Sequence, residues 1–412
     1  MTKFVLTFFV FFMASAASAT DEMPIIDMSQ MVSEEAPSSG AVIRWQGQYS
    51  YKKFESGDEA EASFSMNSNG KLNPYMNAHL DVELSAIDGD SSRLQNTIHQ
   101  AFLDNSIGRY NFNIGIQKID WGQMDFQSPA NLLAPLDLSR GISGDVDSQV
   151  RGTAALQFKM TFDGFFVEAL FRPFHTAHLF PGQGSPWDRA SAAISQMPGA
   201  GVQNQDRQYG SQGLRLGLNL GTLGIRVMSY SGYESFKIND SDNVETSPTE
   251  LSYNALAMDL GLGPVVFKGE FAAGTRNVYY LNSLFQIQEE LPKFQNASIA
   301  LDYGVDSLNF MLELASSKTD SDNKSLLPAQ GDRGTISTQS SIKLNNDDLV
   351  ISFITQHALE KGEQMLILKG SNQFRDWLSV ELGYVDFAGE EETLLGQYKK
   401  SSHFYSQLQF DL

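Results

Sequence analysis

The sequence predicts an all-β protein, a transmembrane antiparallel β-barrel of about 18 strands, with about 16 as the alternative count. Three observations carry the prediction. Apolar and polar residues alternate through segments of roughly 10–13 residues, long enough for a tilted bilayer span. Very short turns alternate with long loops along the chain, the pattern of a barrel whose turns share one rim. After residue 20 no apolar run reaches the ~18 residues a membrane helix needs.

The first 19 residues read as a secretory signal peptide. Lys3 supplies the positive start, Phe4 to Met13 the apolar stretch, and Ala17-Ser18-Ala19 the small-residue cleavage site. Residues 20–40 are polar, end in Pro-Ser-Ser-Gly and are expected to form a periplasmic tail, leaving 41–412 as the barrel. The chain has no cysteine, so a lipoprotein anchor, disulfides and thiolate chemistry are excluded. The net charge of −20 gives no basic stripe for phosphates and argues against nucleic acid.

Strands are expected near 41–51, 59–69, 74–86, 96–106, 109–119, 150–162, 164–172, 210–220 and 223–233. The second half continues with 250–262, 264–274, 295–304, 307–316, 334–344, 349–359, 364–373, 376–387 and 399–412. The short turns fall at Asn69-Gly70, Gly108-Arg109, Asp163-Gly164, Gly221, Gly263-Pro264, Val305-Asp306, Asn346-Asp347 and Arg375-Asp376. Leu214, Leu216, Leu218 and Leu220, for example, oppose Arg215, Gly217 and Asn219. A soluble sandwich would alternate too. Strand length, the polarised turns and a C-terminal alternating segment (Phe404, Leu408, Phe410 and Leu412 on one face) favour the barrel.

One stretch departs from the pattern. Arg109 to Gln117 alternates as a strand, but Trp121-Gly122, Ser128-Pro129 and Ala134-Pro135 then interrupt a segment of about thirty residues. It carries Leu132, Leu133, Leu136 and Leu138, too many leucines for a solvated loop. The expectation is that it folds inward; packing on the rim or on a neighbouring subunit is the alternative. The loop 173–209, with Phe174, Phe180 and Trp187, is expected to lid the mouth.

The C-terminal segment resembles the closing strand of Gram-negative outer-membrane barrels, although Leu412 stands where that group usually ends in an aromatic residue. The run GIQKIDWGQMD followed by Pro135-Leu136-Asp137-Leu138 resembles a Gly-x-Gln, Trp-Gly, Asp, Pro-x-Asp pattern of several porin-like families. The resemblance implies a bacterial outer-membrane location and a barrel in contact with outer-membrane lipid. It does not identify a solute.

If polar faces point inward, the sixth to ninth strands contribute Arg151, Lys159, Arg172, Arg215 and Arg226 to one wall of the lumen. Asp81, Glu83, Asp259, Glu270, Asp302, Glu313 and Glu381 line other strands. Opposed walls would set up a transverse field favouring charged solutes; alternatively, the charges pair across strands and only solvate the interior. The candidate pore residues are Asp125, Asp137 and Arg140 on the inserted segment, with Arg151, Arg172, Arg215 and Arg226 on the wall. Acidic pairs such as Asp58 and Glu59, Asp240 and Asp242, Glu289 and Glu290, and Glu390 to Glu392 are assigned to outer loops. They lack the spacing of a calcium loop.

No enzyme is read from the sequence. The six histidines are scattered, His175-x-x-His178 lacks a third ligand, and neither a nucleophile elbow nor a phosphate loop occurs. No cofactor or metal is expected. The leading functional expectation is passive diffusion of small hydrophilic, preferably charged, solutes, narrowed by the segment near 121–149. The alternatives are a plugged component of an export or assembly system, and a structural or adhesive surface protein. A homo-oligomer is compatible with the sequence, which shows no clear apolar interface.

Overall fold

The computed structural model describes residues 41–54, 57–88, 93–138, 149–176, 178–179, 187, 201–202, 210–233, 238–239, 250–281, 287–321, 332–345, 348–359, 362–390, 393 and 395–411. The segments expected to be a signal peptide and a periplasmic tail, the turn expected at Asn346-Asp347, and Arg140, Phe180, Asp240, Asp242, Glu391, Glu392 and Leu412 lie outside the described residues.

The barrel strands are β1 (Ala41–Phe54), β2 (Gly57–Asn73), β3 (Met76–Asp88), β4 (Arg93–Ile107), β5 (Tyr110–Gln117) and β6 (Thr153–Phe162). They continue as β7 (Phe165–Arg172), β8 (Ser211–Leu220), β9 (Leu223–Tyr233), β10 (Glu250–Leu262), β11 (Val265–Arg276) and β12 (Lys293–Val305). The last six are β13 (Leu308–Thr319), β14 (Arg333–Leu344), β15 (Leu349–Ala358), β16 (Gln364–Arg375), β17 (Leu378–Ala388) and β18 (His403–Asp411). They form one 18-stranded sheet. Each strand pairs antiparallel with the next, and β1 pairs with β18 from Gln46↔Asp411 to Phe54↔His403. That pairing closes the barrel and leaves no sheet edge, so strand amides are satisfied without water.

The alternation decides which face is which. On β10, Leu251, Tyr253, Ala255 and Ala257 are buried, whereas Leu256 and Met258 between them are exposed. Outward faces elsewhere carry Leu216, Phe271, Ile299, Leu382 and Phe404, with up to 65% of a side chain bare. Exposed apolar surface spread over so many strands needs a bilayer to cover it. Near the short turns the belt becomes aromatic, with Tyr75, Tyr110, Phe165, Phe374, Trp377 and Phe410 all exposed. Such a girdle suits the membrane–water interface, where a ring can be both buried and wet.

Several boundaries differ from the sequence reading. The turn expected at Asn69-Gly70 lies at Pro74-Tyr75, because β2 continues to Asn73 through an irregularity between Lys71 and Asn73. The strand assigned to 59–69 is therefore longer than expected, and Asp58 and Glu59 belong to it rather than to a loop. Glu59 is buried and ion-paired to Lys52 at 3.3 Å. The last strand starts at His403 instead of 399, since Gly396–Ser401 form a 3-10 turn of helix with Tyr398 buried. Two short antiparallel pairs lie outside the barrel sheet, Gly201–Val202 with Ile238–Asn239 and Val278–Leu281 with Ile287–Glu290.

Candidate functional site: the lumen insert

After Gln117 the chain leaves the barrel sheet, and among the described residues it rejoins it at Thr153. Residues 118–138 pack on the inward, polar face of the strands. Apolar anchoring begins at Ile119 and Trp121, both fully buried, and continues at Ala130 and Leu133. These pack with Ala155, Leu170, Met228, Tyr230, Tyr253, Ala255, Ala257 and Ala272 from strands β6, β7 and β9–β11. Inward alanines leave the space the insert fills. Gly213 on β8 is the sharpest case, because a Cβ there would strike the Trp121 indole. Pro129 and Ala130 start a single 3-10 turn at Pro129–Asn131, a compact way to reverse the chain in a confined space.

An irregular segment inside a barrel leaves backbone N–H groups without ladder partners, and these must be satisfied locally. Two glutamates, Glu270 and Glu313, do this, and a third, Glu168, holds the Trp121 indole. Glu168 on β7 accepts from Trp121 Nε1 at 2.7 Å and from Gln157 Nε2 at 2.7 Å, and pairs with Arg215 at 2.6 Å. Glu270 on β11 accepts from the Gln123 amide, from Ser128 Oγ at 2.7 Å and from the Ala130 amide at 3.0 Å. Glu313 on β13 accepts from the amides of Phe126 at 3.1 Å and Gln127 at 2.7 Å. Carboxylates suit the role because each offers two oxygens and about four acceptor directions. Tyr253 OH donates to the Ala130 carbonyl at 2.9 Å, Ser298 Oγ to the Gln127 carbonyl at 2.8 Å and Arg172 Nη1 to the Leu133 carbonyl at 2.9 Å.

The end of the insert is stitched by main-chain bonds. The amides of Asp137 and Arg151 donate to the Gln149 and Pro135 carbonyls, at 2.6 and 2.8 Å. Leu136 and Leu138 exchange bonds with Leu179 of the neighbouring loop, Leu138 N to Leu179 O at 2.7 Å and Leu179 N to Leu136 O at 2.9 Å. His178 Nδ1 accepts from the Leu136 amide at 2.8 Å, which requires that nitrogen to be unprotonated.

Burial first, then the neighbouring His175, Arg151 and Arg172, holds His178 neutral and lowers its pKa to about 3. The folded pKa is below the unfolded one, so the unfolded chain takes up the proton first. The resulting stability is full above about pH 6.5 and is lost as pH falls toward about 3. Acidification from pH 8 to pH 5 is expected to weaken this junction by on the order of 2 kcal/mol. Lower protection factors (exchange corrected for its intrinsic pH dependence) at residues 136–138 at pH 5 in wild type, with a flatter pH profile in His178→Gln, check it. Equal pH dependence in both would rule His178 out.

The candidate pore residues occupy unlike positions. Asp125 is half-exposed on the insert and paired with Lys268 Nζ at 2.8 Å, which also reaches Asp302 at 2.6 Å. Asp137 and Arg151 are partly exposed at the stitched end. Arg172 is only 1% exposed and is used as a strut, donating to Thr153 Oγ1, the Leu133 carbonyl and Tyr230 OH. Arg215 stacks over Trp121 and Phe166 as well as pairing with Glu168. Arg226 pairs with Asp259 across the β9–β10 ladder. Of the five basic residues expected on one wall, Arg215 and Arg226 thus each meet a carboxylate and Arg172 is covered by the insert. The anchoring role of Glu168, Glu270 and Glu313 was missed; Gly213, a glycine inside an otherwise leucine-rich strand, was the available signal for a close approach.

A second apolar cluster sits on other strands. Trp187, from the loop 173–209, is 1% exposed and packs edge-on against Phe54, Phe387 and His403 at 5.3–6.0 Å. Ile354, Met365, Ile367, Val385, Leu395 and Tyr398 complete the cluster, and Phe126 of the insert packs against it. The 3-10 turn beside it is fixed by Glu363, which accepts from the Leu395 amide at 2.6 Å and pairs with Arg333 at 3.2 Å. Among the described residues no group of three metal-ligating side chains occurs, and His175-x-x-His178 is buried without a third ligand.

No family model matches the chain, and no curated protein does. Solved outer-membrane barrels share its architecture. The crystal structure of Pseudomonas aeruginosa OccD3 (OpdP) aligns over 92% of this chain and 93% of its own, at 9% identity and a TM-score of 0.52. Acinetobacter baumannii OccAB1 aligns over 92% and 96%, at 9% identity and 0.54. Pseudomonas aeruginosa OccK8 (OprE) aligns over 91% and 97%, at 10% identity and 0.53. At such identities the likeness is one of architecture: the chain has the fold of a bacterial outer-membrane β-barrel.

Proposed function

We propose that the protein is a passive outer-membrane channel for small hydrophilic solutes, with residues 118–138 as its constriction. The supporting observation is the course of the insert, whose hydrogen bonds run from Glu168 on β7 to Glu313 on β13 along the polar inner face. A polar inner face of this size holds water. With the insert over β6–β13 and the Trp187 cluster over part of β1 and β15–β18, the other inward side chains of β14–β18 and β1–β5 form the wall of the remaining path. Asp125, Asp137 and Arg151 are the charged groups proposed to border it, while Arg172, Arg215 and Arg226 act mainly by holding the insert and wall in place. Because the wall charges are paired, the channel discriminates weakly between small anions and cations. The partners are outer-membrane lipid and the solute itself, and a homo-oligomer is compatible with the arrangement.

A second reading has one observation in its favour. Phe126 of the insert meets the Trp187 cluster, so two loops approach each other from different walls. If they meet without a gap, the barrel is plugged and serves export, assembly or surface structure. Purified protein in planar bilayers separates the readings. A channel gives discrete ohmic steps that grow when residues 122–131 are replaced by a short Gly-Ser bridge. Absence of steps in both proteins would overturn the channel reading.

A further inference from the structure

A recess of about 270 Å³ lies on the inward side of the last four strands, toward the short-turn end. Its lining includes Ser371 and Gln373 of β16, Ser379 of β17, and Gln407 and Gln409 of β18. Asp348 and Glu381 are the acidic members. Glu381 is already engaged, accepting from Tyr405 OH at 2.8 Å and lying 3.6 Å from Lys369 Nζ. Asp348 accepts from Asn345 Nδ2 at 3.4 Å. Among the described residues no arginine lines the recess.

Amide side chains both donate and accept, and so do serine hydroxyls. A wall of them matches a solute whose groups are themselves donor and acceptor at once, which is the chemistry of hydroxyls. A carboxylate solute needs fixed cations, and Lys369 beside the recess is shared with Glu381. An amine would have to compete with Tyr405 and Lys369 for Glu381. The wall above the recess adds an apolar surface. Gly383, which has no Cβ, lets the half-buried Tyr405 ring lie over the β17 backbone, where a Cβ would meet it. A ring beside a row of amides offers a sugar both the contacts it needs, C–H faces to an aromatic and hydroxyls to amides.

We propose that this recess, lined by Ser371, Gln373, Ser379, Gln407 and Gln409 beside Tyr405, is a subsite for a neutral polyhydroxylated solute of the saccharide type. The proposal deepens the channel reading and rests on it for the route by which the solute arrives. It also replaces a charged solute with an uncharged one as the preferred cargo.

The test uses full-length protein folded in detergent and then placed in planar bilayers, with glucose, sucrose, glutamate and lysine as probes. The expected result is saturable interruption of the KCl current by a sugar, with glutamate and lysine far weaker. The double variant Gln407→Ala/Gln409→Ala should raise the half-blocking sugar concentration about tenfold, the loss of one to two net hydrogen bonds. Heat-modifiable gel mobility confirms that the variant barrel folds. Calorimetric titration of sucrose into the detergent-folded protein reads the subsite without conduction, so failure of the channel and failure of the subsite are distinguishable. Steady conductance with no sugar block and no heat on titration would overturn the subsite while leaving the channel. Block by lysine or glutamate in preference to sugar, or an unchanged half-blocking concentration in the variant, would overturn the assignment as well.

Discussion

Replacing Trp121 with alanine will free the insert. The indole is fully buried, fills the space above Gly213, donates to Glu168 and lies under the Arg215 guanidinium. Truncating a buried tryptophan costs about 3–5 kcal/mol through lost apolar contact and the cavity left behind. The lost indole N–H bond falls on a carboxylate that keeps two other partners, so the hydrogen-bond part is the smaller one. The barrel itself is held by its closed ladder and should survive. The loss is therefore expected locally, as a drop of about 3–5 kcal/mol in the opening free energy of the insert, read by hydrogen exchange at residues 121–131. Conductance should rise or become noisy in the same variant. Unchanged protection of those amides would mean that Trp121 does not anchor the segment.

The second large effect concerns Glu270. Its two oxygens take three donors from the insert: the Gln123 amide, Ser128 Oγ and the Ala130 amide. Glu270→Ala leaves those donors with no partner in a site too crowded to hydrate freely. Each orphaned donor costs about 1–3 kcal/mol, so a total of about 3 kcal/mol or more is expected. Glu270→Gln keeps one acceptor oxygen and should cost clearly less. The ordering Ala worse than Gln distinguishes an acceptor role from a purely charged one. It can be read from exchange at Gln123 and Ala130 and from proteolytic cutting of the insert. If Gln matched Ala in both readouts, the negative charge rather than the hydrogen-bond geometry would be what holds the segment.

The two variants act on different links of one chain of causes. Trp121 supplies apolar burial, which is non-directional and sets how tightly the insert sits. Glu270 supplies direction, since backbone amides of an irregular segment need acceptors at fixed points. Together with Glu168 and Glu313 it spaces three anchors around part of the barrel wall. A segment tied at three points is a fixed part of the inner wall rather than a swinging lid. For this reason the proposed test shortens residues 122–131 rather than mutating a hinge.

Much of the architecture could be read without coordinates because a barrel strand writes its environment into a period of two. Leu214 to Leu220 on one face and Arg215 to Asn219 on the other can satisfy lipid and water in only one way. Strand number, antiparallel order and the shared rim of the short turns follow from that repetition. So does the oddness of 118–138, which breaks the period and carries leucines and prolines that neither lipid nor water explains. The misplaced turn at Pro74-Tyr75 and the 3-10 helix at 396–401 have local causes, an irregularity in the ladder and a buried Tyr398.

What the tertiary structure alone decided is which charges meet. Alternation puts Arg172, Arg215 and Arg226 on the inner face, but it cannot say that register brings Glu168 against Arg215 or Asp259 against Arg226. Nor can it say that Arg172 spends its guanidinium on the Leu133 carbonyl. Those pairings depend on the shear of the closed sheet and on a segment folding back over 100 to 200 residues of sequence distance, as in Ala130 with Glu270 and Gln127 with Glu313. A local period carries the face of each residue; only closure of the barrel carries its partner.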